Sequence, residues 1–333
     1  MRISDIAKAA NVSTATISRV INEKKGVSDA ERERIKKIIE EYNYQPNLLG
    51  QTLRRATTNT LLAILPTLSN SFYSEILVAM EEEAVRNGYV LLICEQNRFF
   101  SLYLDRLKNK LVDGIVLFYS GMEAQQLSSL AQNFPIVQCC EIVPDSHTST
   151  VSIDNRRAGA DVADMLLAKG HRHFVFVCGN AVSEMQRHDG FLDAIEAFGL
   201  CEDNFAVIQA ERNPSSNVLM VPFENLQNCL QNENHPTAVF CTSDELAIQV
   251  IQYLERRGYR VPEDISVVGF DDQSIMRYFR PRLTTVGQDK ESLGCSAIQA
   301  LVAKINDIDS EDRHVAVHHW IEQRETVTEA KNR

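Results

Sequence analysis

The chain has 333 residues, 44% of them hydrophobic and 24% charged, with a net charge of −11. That length supports two or three domains with full-sized cores, and no run approaches the ~18 apolar residues of a membrane span. The start, Met1-Arg2-Ile3-Ser4-Asp5, has no signal-peptide hydrophobic region. The eight cysteines form no Cys-x-x-Cys pair and no zinc-type spacing with histidine, so a reduced cytoplasm fits better than a disulfide framework or a metal site.

The net charge hides a split. Residues 1–58 carry eleven basic and seven acidic side chains, +4, while the remainder carries −15. A positive end on an acidic body concentrates nucleic-acid affinity at that end.

That end has the pattern to use it. A short amphipathic segment, Ser4 to Ala10, breaks at Asn11 and is followed by Val12-Ser13-Thr14-Ala15-Thr16-Ile17-Ser18-Arg19-Val20. Ser13 is a good N-cap, and Asn11 tolerates the left-handed backbone that a tight turn needs. Ile17, Val20 and Ile21 fall on one helical face, ready to pack on Ile6, Ala7 and Ala10. Thr14, Ala15, Ser18, Arg19 and Asn22 fall on the other. Two short helices around one turn make a helix-turn-helix, whose second helix fits the DNA major groove. A third helix is predicted from the Ser28-x-x-Glu31 capping box, with Ile35, Ile38, Ile39 and Tyr42 as its apolar stripe. Any small three-helix unit shares these features, so the motif alone is only part of the case.

After Tyr44-Gln45-Pro46, Asn47 can cap a helix of about two turns, too short to be stable alone and weakened by Gly50. On it Leu53 stands exposed beside Arg54 and Arg55. An apolar side chain flanked by cations suits a minor-groove wedge; a plain linker with one stray Leu is the competing reading.

From Thr60 short apolar runs alternate with helical segments. Leu61–Leu65, Tyr89–Cys94, Gly114–Phe118, Ile136–Cys140, Phe174–Cys178, Ala206–Gln209, Ala238–Cys241 and Ile265–Phe270 read as buried strands. Tyr73–Arg86, Arg156–Lys169, Glu245–Arg257 and Glu291–Ile305 read as helices. Such alternation implies parallel sheets covered by helices, with ligands bound beyond the C-terminal strand ends. There the first strand presents small polar residues and then Phe72 and Tyr73, which suit a sugar or nucleoside ring unless both pack in the core. Asp271 ends the last of these strands and can accept two hydroxyl hydrogens.

The chain resembles the lactose/galactose repressor (LacI/GalR) family of bacterial transcription factors. The resemblance is carried by ISDIAKAANVSTATISRVIN (3–22), YQPN (44–47), VDG (112–114), GHRH (170–173), PTAVF (236–240), Ser243-Asp244, VPEDISVVGFDD (261–272) and PRLTT (281–285). It implies an α/β architecture: an N-terminal all-α helix-turn-helix headpiece (1–45), a hinge helix or linker (46–59), and a two-lobed periplasmic-binding-protein-like effector domain of parallel sheets (60–333). It implies Ser13, Thr14, Ala15, Thr16, Ser18, Arg19, Asn22, Asn47, Leu53 and Arg54 as DNA-binding residues. It implies Phe72, Tyr73, Glu141, Arg187, Ser243 and Asp271 as effector-binding residues, with Arg187 reaching the ligand from the second lobe; a surface salt bridge is the competing reading for Arg187 and Asp271. Ser243 stands where many relatives place Asn, and can make fewer bonds. Three departures stand out. Strand Ile136–Cys140 leads into Glu141 where sugar-binding relatives often carry Asp, so either Glu141 substitutes or that contact is missing. Arg212 falls near a usual aromatic and reads as a surface loop charge; the competing reading is an extra arginine that favours an acidic or phosphorylated ligand. The segment Glu95–Phe100 is shorter than usual.

The implied protein is a homodimeric transcriptional regulator, a repressor, reading double-stranded operator DNA under control of a small effector: a sugar, sugar phosphate or nucleoside. It is expected to need no cofactor or metal, to be no enzyme, to avoid membranes, and to work in the bacterial cytoplasm, nucleoid-associated when bound. The sequence shows no Gly-x-Ser-x-Gly elbow, phosphate loop or dinucleotide fingerprint, which counts against an α/β enzyme. Control by a protein coregulator, and a sugar-binding transport protein, are the alternatives. With no leucine-heptad tail, a dimer is expected rather than a tail-linked tetramer.

Overall fold

The computed structural model describes residues 3–21, 23–44, 57–96, 111–119, 121–212, 218–231, 235–308 and 310–331. Asn22, Asn47, Leu53 and Arg54 lie outside the described residues, as do most of the segment 95–100 and the side chain of Arg212. The chain divides into two compact units, Met1–Thr57 and Thr58–Arg333.

In the first unit α1 spans Ile3–Ala9, α2 Thr14–Ile21 and α3 Asp29–Glu41. Asn11 turns between the first two with φ 48°, the left-handed backbone that Asn tolerates. Ile6, Ala7, Ala10, Ile17, Val20 and Ile35 form the core, with Ile21, Ile38 and Ile39 packed against it. Ser28 caps α3, accepting from the Glu31 backbone N–H at 3.4 Å. The stripe expected on α3 fails at its end: Tyr42 is 48% exposed. The helix stops at Glu41, Asn43 turns left-handed, and Tyr44 takes the core position instead.

The second unit runs β1 (Thr60–Leu65), α4 (Ser71–Arg86), β2 (Val90–Glu95), β3 (Gly114–Leu117), α5 (Ala124–Ala131), β4 (Ile136–Cys139), β5 (Ser149–Ile153), α6 (Asn155–Ala168), β6 (Phe174–Cys178), α7 (Val182–Ala197) and β7 (Phe205–Gln209). Then follow β8 (Glu211–Arg212), β9 (Leu219–Met220), α8 (Phe223–Gln231), β10 (Ala238–Cys241), α9 (Asp244–Arg256), β11 (Ser266–Asp271), β12 (Thr284–Gln288), α10 (Lys290–Asn306), β13 (His314–Val317) and β14 (His319–Glu322). The strands expected from apolar runs appear within one residue of their expected ends. β5, β8, β9, β12, β13 and β14 have no counterpart among the apolar runs of the sequence, nor do α5, α7 and α8 among its expected helical segments.

Two six-stranded sheets result, ordered β13-β5-β4-β3-β1-β2 and β14-β12-β11-β10-β6-β7. Every pairing in them is parallel except β12 with β14, which is antiparallel because β14 enters from the first lobe at the sheet edge. Three crossovers join the lobes: Ile153 to Asn155, Gln288 to Lys290, and Val317 to His319. Polar caps start the helices behind the strands. Asn70 accepts from Phe72 N–H at 2.8 Å, Asp154 from Arg157 N–H at 2.9 Å, Ser243 from Leu246 N–H at 3.3 Å, and Asp289 from Ser292 N–H at 2.9 Å. Each satisfies an amide that the helix leaves unpaired. Strand ends and helix starts are thereby brought to one cleft between the lobes.

Candidate functional site

In the first unit the exposed face of α2 carries Thr14, Ala15, Ser18 and Arg19. Their neighbours Ile17 and Val20 are buried, so the face cannot rotate away without opening the core. Ser13 caps the helix: its hydroxyl accepts from Thr16 N–H at 3.1 Å and lies 2.9 Å from the Thr16 hydroxyl. These two hydroxyls therefore hold the helix start as well as lining the face. The sequence did not point to two arginines that brace this unit. Arg34 donates to the Ala10 carbonyl at 2.9 Å and Arg32 to the Lys24 carbonyl at 2.8 Å, both tying α3 to the turns.

In the second unit a cavity of about 200 Å³ opens between the lobes. Phe72, Tyr73, Phe118, Tyr119 and Glu141 line it from the first lobe, and Arg187, Ser243, Glu245 and Asp271 from the second. All six expected effector residues are thus brought together. Phe72 and Tyr73 open α4; Tyr73 packs edge-on against both Phe72 and Phe118, with ring centroids 5.4 and 5.5 Å apart. Burial raises the Tyr73 phenol well above its usual range, so it stays neutral.

Arg187, on α7, is 8% exposed. Its Nε donates to Asn155 Oδ1 at 2.9 Å and its Nη1 to the Thr242 carbonyl at 2.7 Å. Its guanidinium lies over the Phe270 ring. Asp271, at the end of β11, is 6% exposed and takes φ 106°, a conformation that L side chains rarely adopt. Gln288 Nε2 donates to its Oδ1 at 2.9 Å. Burial pushes its carboxyl up to about 7, against the opposing pull of Arg187 and Lys290. Asp244, fully buried behind it, is raised well above the usual range by burial and by Asp271; it accepts from the Thr285 hydroxyl at 2.5 Å and the Gln273 amide at 2.8 Å.

Two expected residues hold the protein itself. Ser243 is the N-cap of α9. Glu141 follows Cys140, which has φ 70°, and reaches across to the start of α7. There it accepts from Val182 N–H at 2.6 Å, from Ser183 N–H at 3.3 Å, and from the Ser183 hydroxyl at 2.5 Å. Burial raises its carboxyl; bonds from Ser183 and Val182 and the charge of Arg187 oppose that rise.

Sequence reasoning missed Glu184, whose carboxylate accepts from the Gly179 and Ala181 amides at 3.1 Å and the Thr242 hydroxyl at 2.6 Å. A Glu three residues into a helix was the available signal, but Ala181 lacks the hydroxyl that completes a capping box. Glu245, Asn155 and Gln288 were missed as well. Among the described residues no His/Cys/Asp/Glu group could hold a metal ion, and no helix is long and apolar enough to cross a membrane.

Residues 2–47 match the family described as bacterial regulatory proteins, lacI family, and residues 163–327 match a periplasmic binding protein-like domain. The HTH-type transcriptional repressor PurR of Vibrio atlanticus (strain LGP32) is 31% identical over 332 residues, covering 98% of each chain. That of Aliivibrio salmonicida (strain LFI1238) is 32% identical over 333 residues, again covering 98% of each. Among solved structures, the lac repressor dimer bound to operator and the anti-inducer ONPF matches with a TM-score of 0.85 at 22% identity, covering 98% of this chain and 99% of that one. A LacI family regulator from Enterococcus faecium with bound ribose matches with a TM-score of 0.72 at 22% identity, covering 82% of this chain and 100% of that one. These two structural likenesses are likenesses of fold.

Proposed function

The chain belongs to the LacI family of bacterial regulatory proteins, and from that premise we propose how its parts share the work of a DNA-binding transcriptional regulator. Residues 1–45 read the operator, 46–59 act as the hinge, and 60–333 bind the effector and dimerise. Thr14, Ala15, Ser18, Arg19 and Asn22 meet base edges and phosphates, with Ser13 and Thr16 at the helix start. Asn47, Leu53 and Arg54 engage the operator centre.

The observation that carries the effector reading is the pairing of Arg187 and Asp271 in one interlobe cavity faced by aromatic rings. A buried guanidinium and carboxylate supply donors and acceptors for vicinal hydroxyls, while rings pack against a sugar or base face. The effector is accordingly a compact, hydroxylated ring compound of the sugar, sugar phosphate or nucleoside type. The relative solved with ribose is consistent with that class.

Two copies of the chain pair so that two α2 helices meet two half-sites. On the first lobe Val78 and Val85 on one side of α4, and Val90 and Leu92 on one face of the edge strand β2, are exposed large apolar residues. An apolar face of that kind on a strand edge suits a partner copy. The protein acts in the cytoplasm, where the bacterial chromosome lies, and joins the nucleoid when operator-bound.

The test is a thermal-shift screen of sugars, sugar phosphates and nucleosides, followed by operator titration with and without each hit. A true effector raises the melting temperature and changes operator affinity by about 5- to 150-fold. Hits that leave operator affinity unchanged would remove the effector reading and favour a protein coregulator.

A further inference from the structure

Four carboxylates line the interlobe cavity, from Glu141, Glu184, Glu245 and Asp271, against the single guanidinium of Arg187. They are not equivalent. Glu184 is committed within its own lobe to the Gly179 and Ala181 amides and the Thr242 hydroxyl. The Asp271 carboxylate accepts from Gln288 on Oδ1 alone, and the Glu245 carboxylate has no hydrogen-bond partner, among the described residues. Both can accept from a ligand. The start of α9 offers little to an anion, since its first turn carries Asp244 and Glu245 and Ser243 holds the Leu246 amide.

Glu141 differs from the other three because it crosses between lobes. It takes the Val182 and Ser183 amides and the Ser183 hydroxyl at the start of a 16-residue helix. Outward backbone N–H groups, the positive end of the helix dipole and an adjacent hydroxyl are the means by which proteins bind phosphate. Arg187, one turn further along the same helix, adds its charge, which acts on the Glu141 carboxyl. A complete anion position therefore exists in this cleft, and the protein's own carboxylate fills it.

We propose that Glu141 restricts the effector to molecules without an acidic group, by holding with its own carboxylate the donors that a phosphate or carboxylate would need. This rests on the cleft being the effector site, and it narrows the class to neutral sugars and nucleosides. A phosphorylated ligand would have to displace Glu141 from three donors. It would then lie beside the displaced carboxylate as well as Glu245 and Asp271, and like charges in contact penalise such a complex. A neutral hydroxyl meets no such conflict. It donates to Asp271 or Glu245 and accepts from Arg187, whose Nη2 donates to no protein group among the described residues.

The test uses the full chain and inorganic phosphate, titrated calorimetrically over the millimolar range at constant ionic strength. The parent should show no saturable binding. Glu141→Ala should bind phosphate about tenfold or more tightly than the limit set for the parent, and adding Arg187→Ala should abolish the gain. Glu141→Gln keeps the shape and removes the charge, and should show a smaller gain; it decides the matter if the alanine variant does not melt cooperatively. Saturable binding by the parent equal to that of the variants overturns the proposal, as does the absence of any gain in a folded variant. A second arm compares ribose with ribose 5-phosphate, and adenosine with its 5′-monophosphate. Tighter binding of either phosphorylated compound by the parent also overturns it. The phosphate titration involves neither operator nor effector, so it can fail while the effector cleft stands, and the converse.

Discussion

The guanidinium of Arg187 lies 3.6 Å above the centre of the Phe270 ring, and the residue after Phe270 is Asp271. One aromatic side chain in the second lobe thus fixes the plane of the cation while its backbone delivers the anion. A guanidinium stacks on a ring and donates in its own plane at the same time, which an ammonium cannot do.

Arg187→Lys should therefore behave like Arg187→Ala. Both variants, and Asp271→Ala, should bind operator with the parent's affinity and fail to respond to effector. Leaving ligand polar groups unpaired costs about 1–3 kcal/mol each. The measurement is operator affinity with and without the screened effector. If all three respond like the parent, control lies with a partner bound elsewhere.

Effector affinity should depend on pH through Asp271. Its carboxyl moves from an ordinary value of 3.8 up to about 7 in the folded protein. The folded state holds this proton more firmly than the unfolded chain, so the group's contribution to stability is present at low pH and is lost as pH rises through that window. Ligand hydroxyls donate to the ionised form, so binding has the opposite trend. Affinity should climb by at most about tenfold per pH unit below 7 and level off above it. Asp271→Asn should flatten the curve. Asp244 and Glu245 face the same group and stay unchanged in that variant, so a curve that keeps its slope would assign the titration to one of them.

Arg19 is the side chain expected to read a base, since Arg pairs well with guanine O6 and N7. Arg19→Ala should lose about 1–3 kcal/mol per half-site and relax specificity at one base pair. Equal weakening on every operator sequence would reduce Arg19 to a phosphate contact.

Leu53→Ala should weaken specific operator binding strongly, as expected for loss of a wedge between base steps, and leave effector affinity intact. Unchanged affinity in a fluorescence titration would return residues 46–59 to the role of a plain linker.

Gly159 of α6 and Gly190 of α7 form a reciprocal pair: a Cβ on Gly159 would strike the Arg187 carbonyl, and one on Gly190 the Arg156 carbonyl. Glycine to alanine inside a helix ordinarily stabilises by up to about 1 kcal/mol. Here overpacking should reverse the sign and cost about 1–3 kcal/mol. Urea melts of Gly190→Ala read the sign directly. Gly159→Ala should in addition blunt the effector response, because its clash is with the backbone that carries Arg187.

The readable elements were those whose buried faces are apolar. β6 and β10 show as uninterrupted runs, and Ile17 and Val20 mark the inner face of α2. β12 is no apolar run, because TTVGQ holds one apolar side chain among polar and small ones, yet it is buried throughout. Its threonines are satisfied internally, Thr285 by Asp244 and Thr284 by the Arg324 amide. α7 escaped for a related reason. Its inner face carries Ser183, Glu184, Arg187 and Gly190 along with Phe191 and Ile195, so the residues that build the cleft erase the apolar stripe that would announce the helix. Within the cleft, Asp271 was legible as a carboxylate at a strand end, and Arg187 only through the family resemblance. The reach of Glu141 to Ser183 was not, because it joins groups 42 positions apart that only the folded lobes bring together.

Two of the charged side chains in the cleft, Arg187 and Asp271, are each tied to a different strap between the lobes. Arg187 holds Asn155, the first helical residue after the Ile153 crossover, and Asp271 is held by Gln288, the last strand residue before the crossover to Lys290. A molecule that draws the cation and the anion toward itself therefore pulls on both straps at once, from inside.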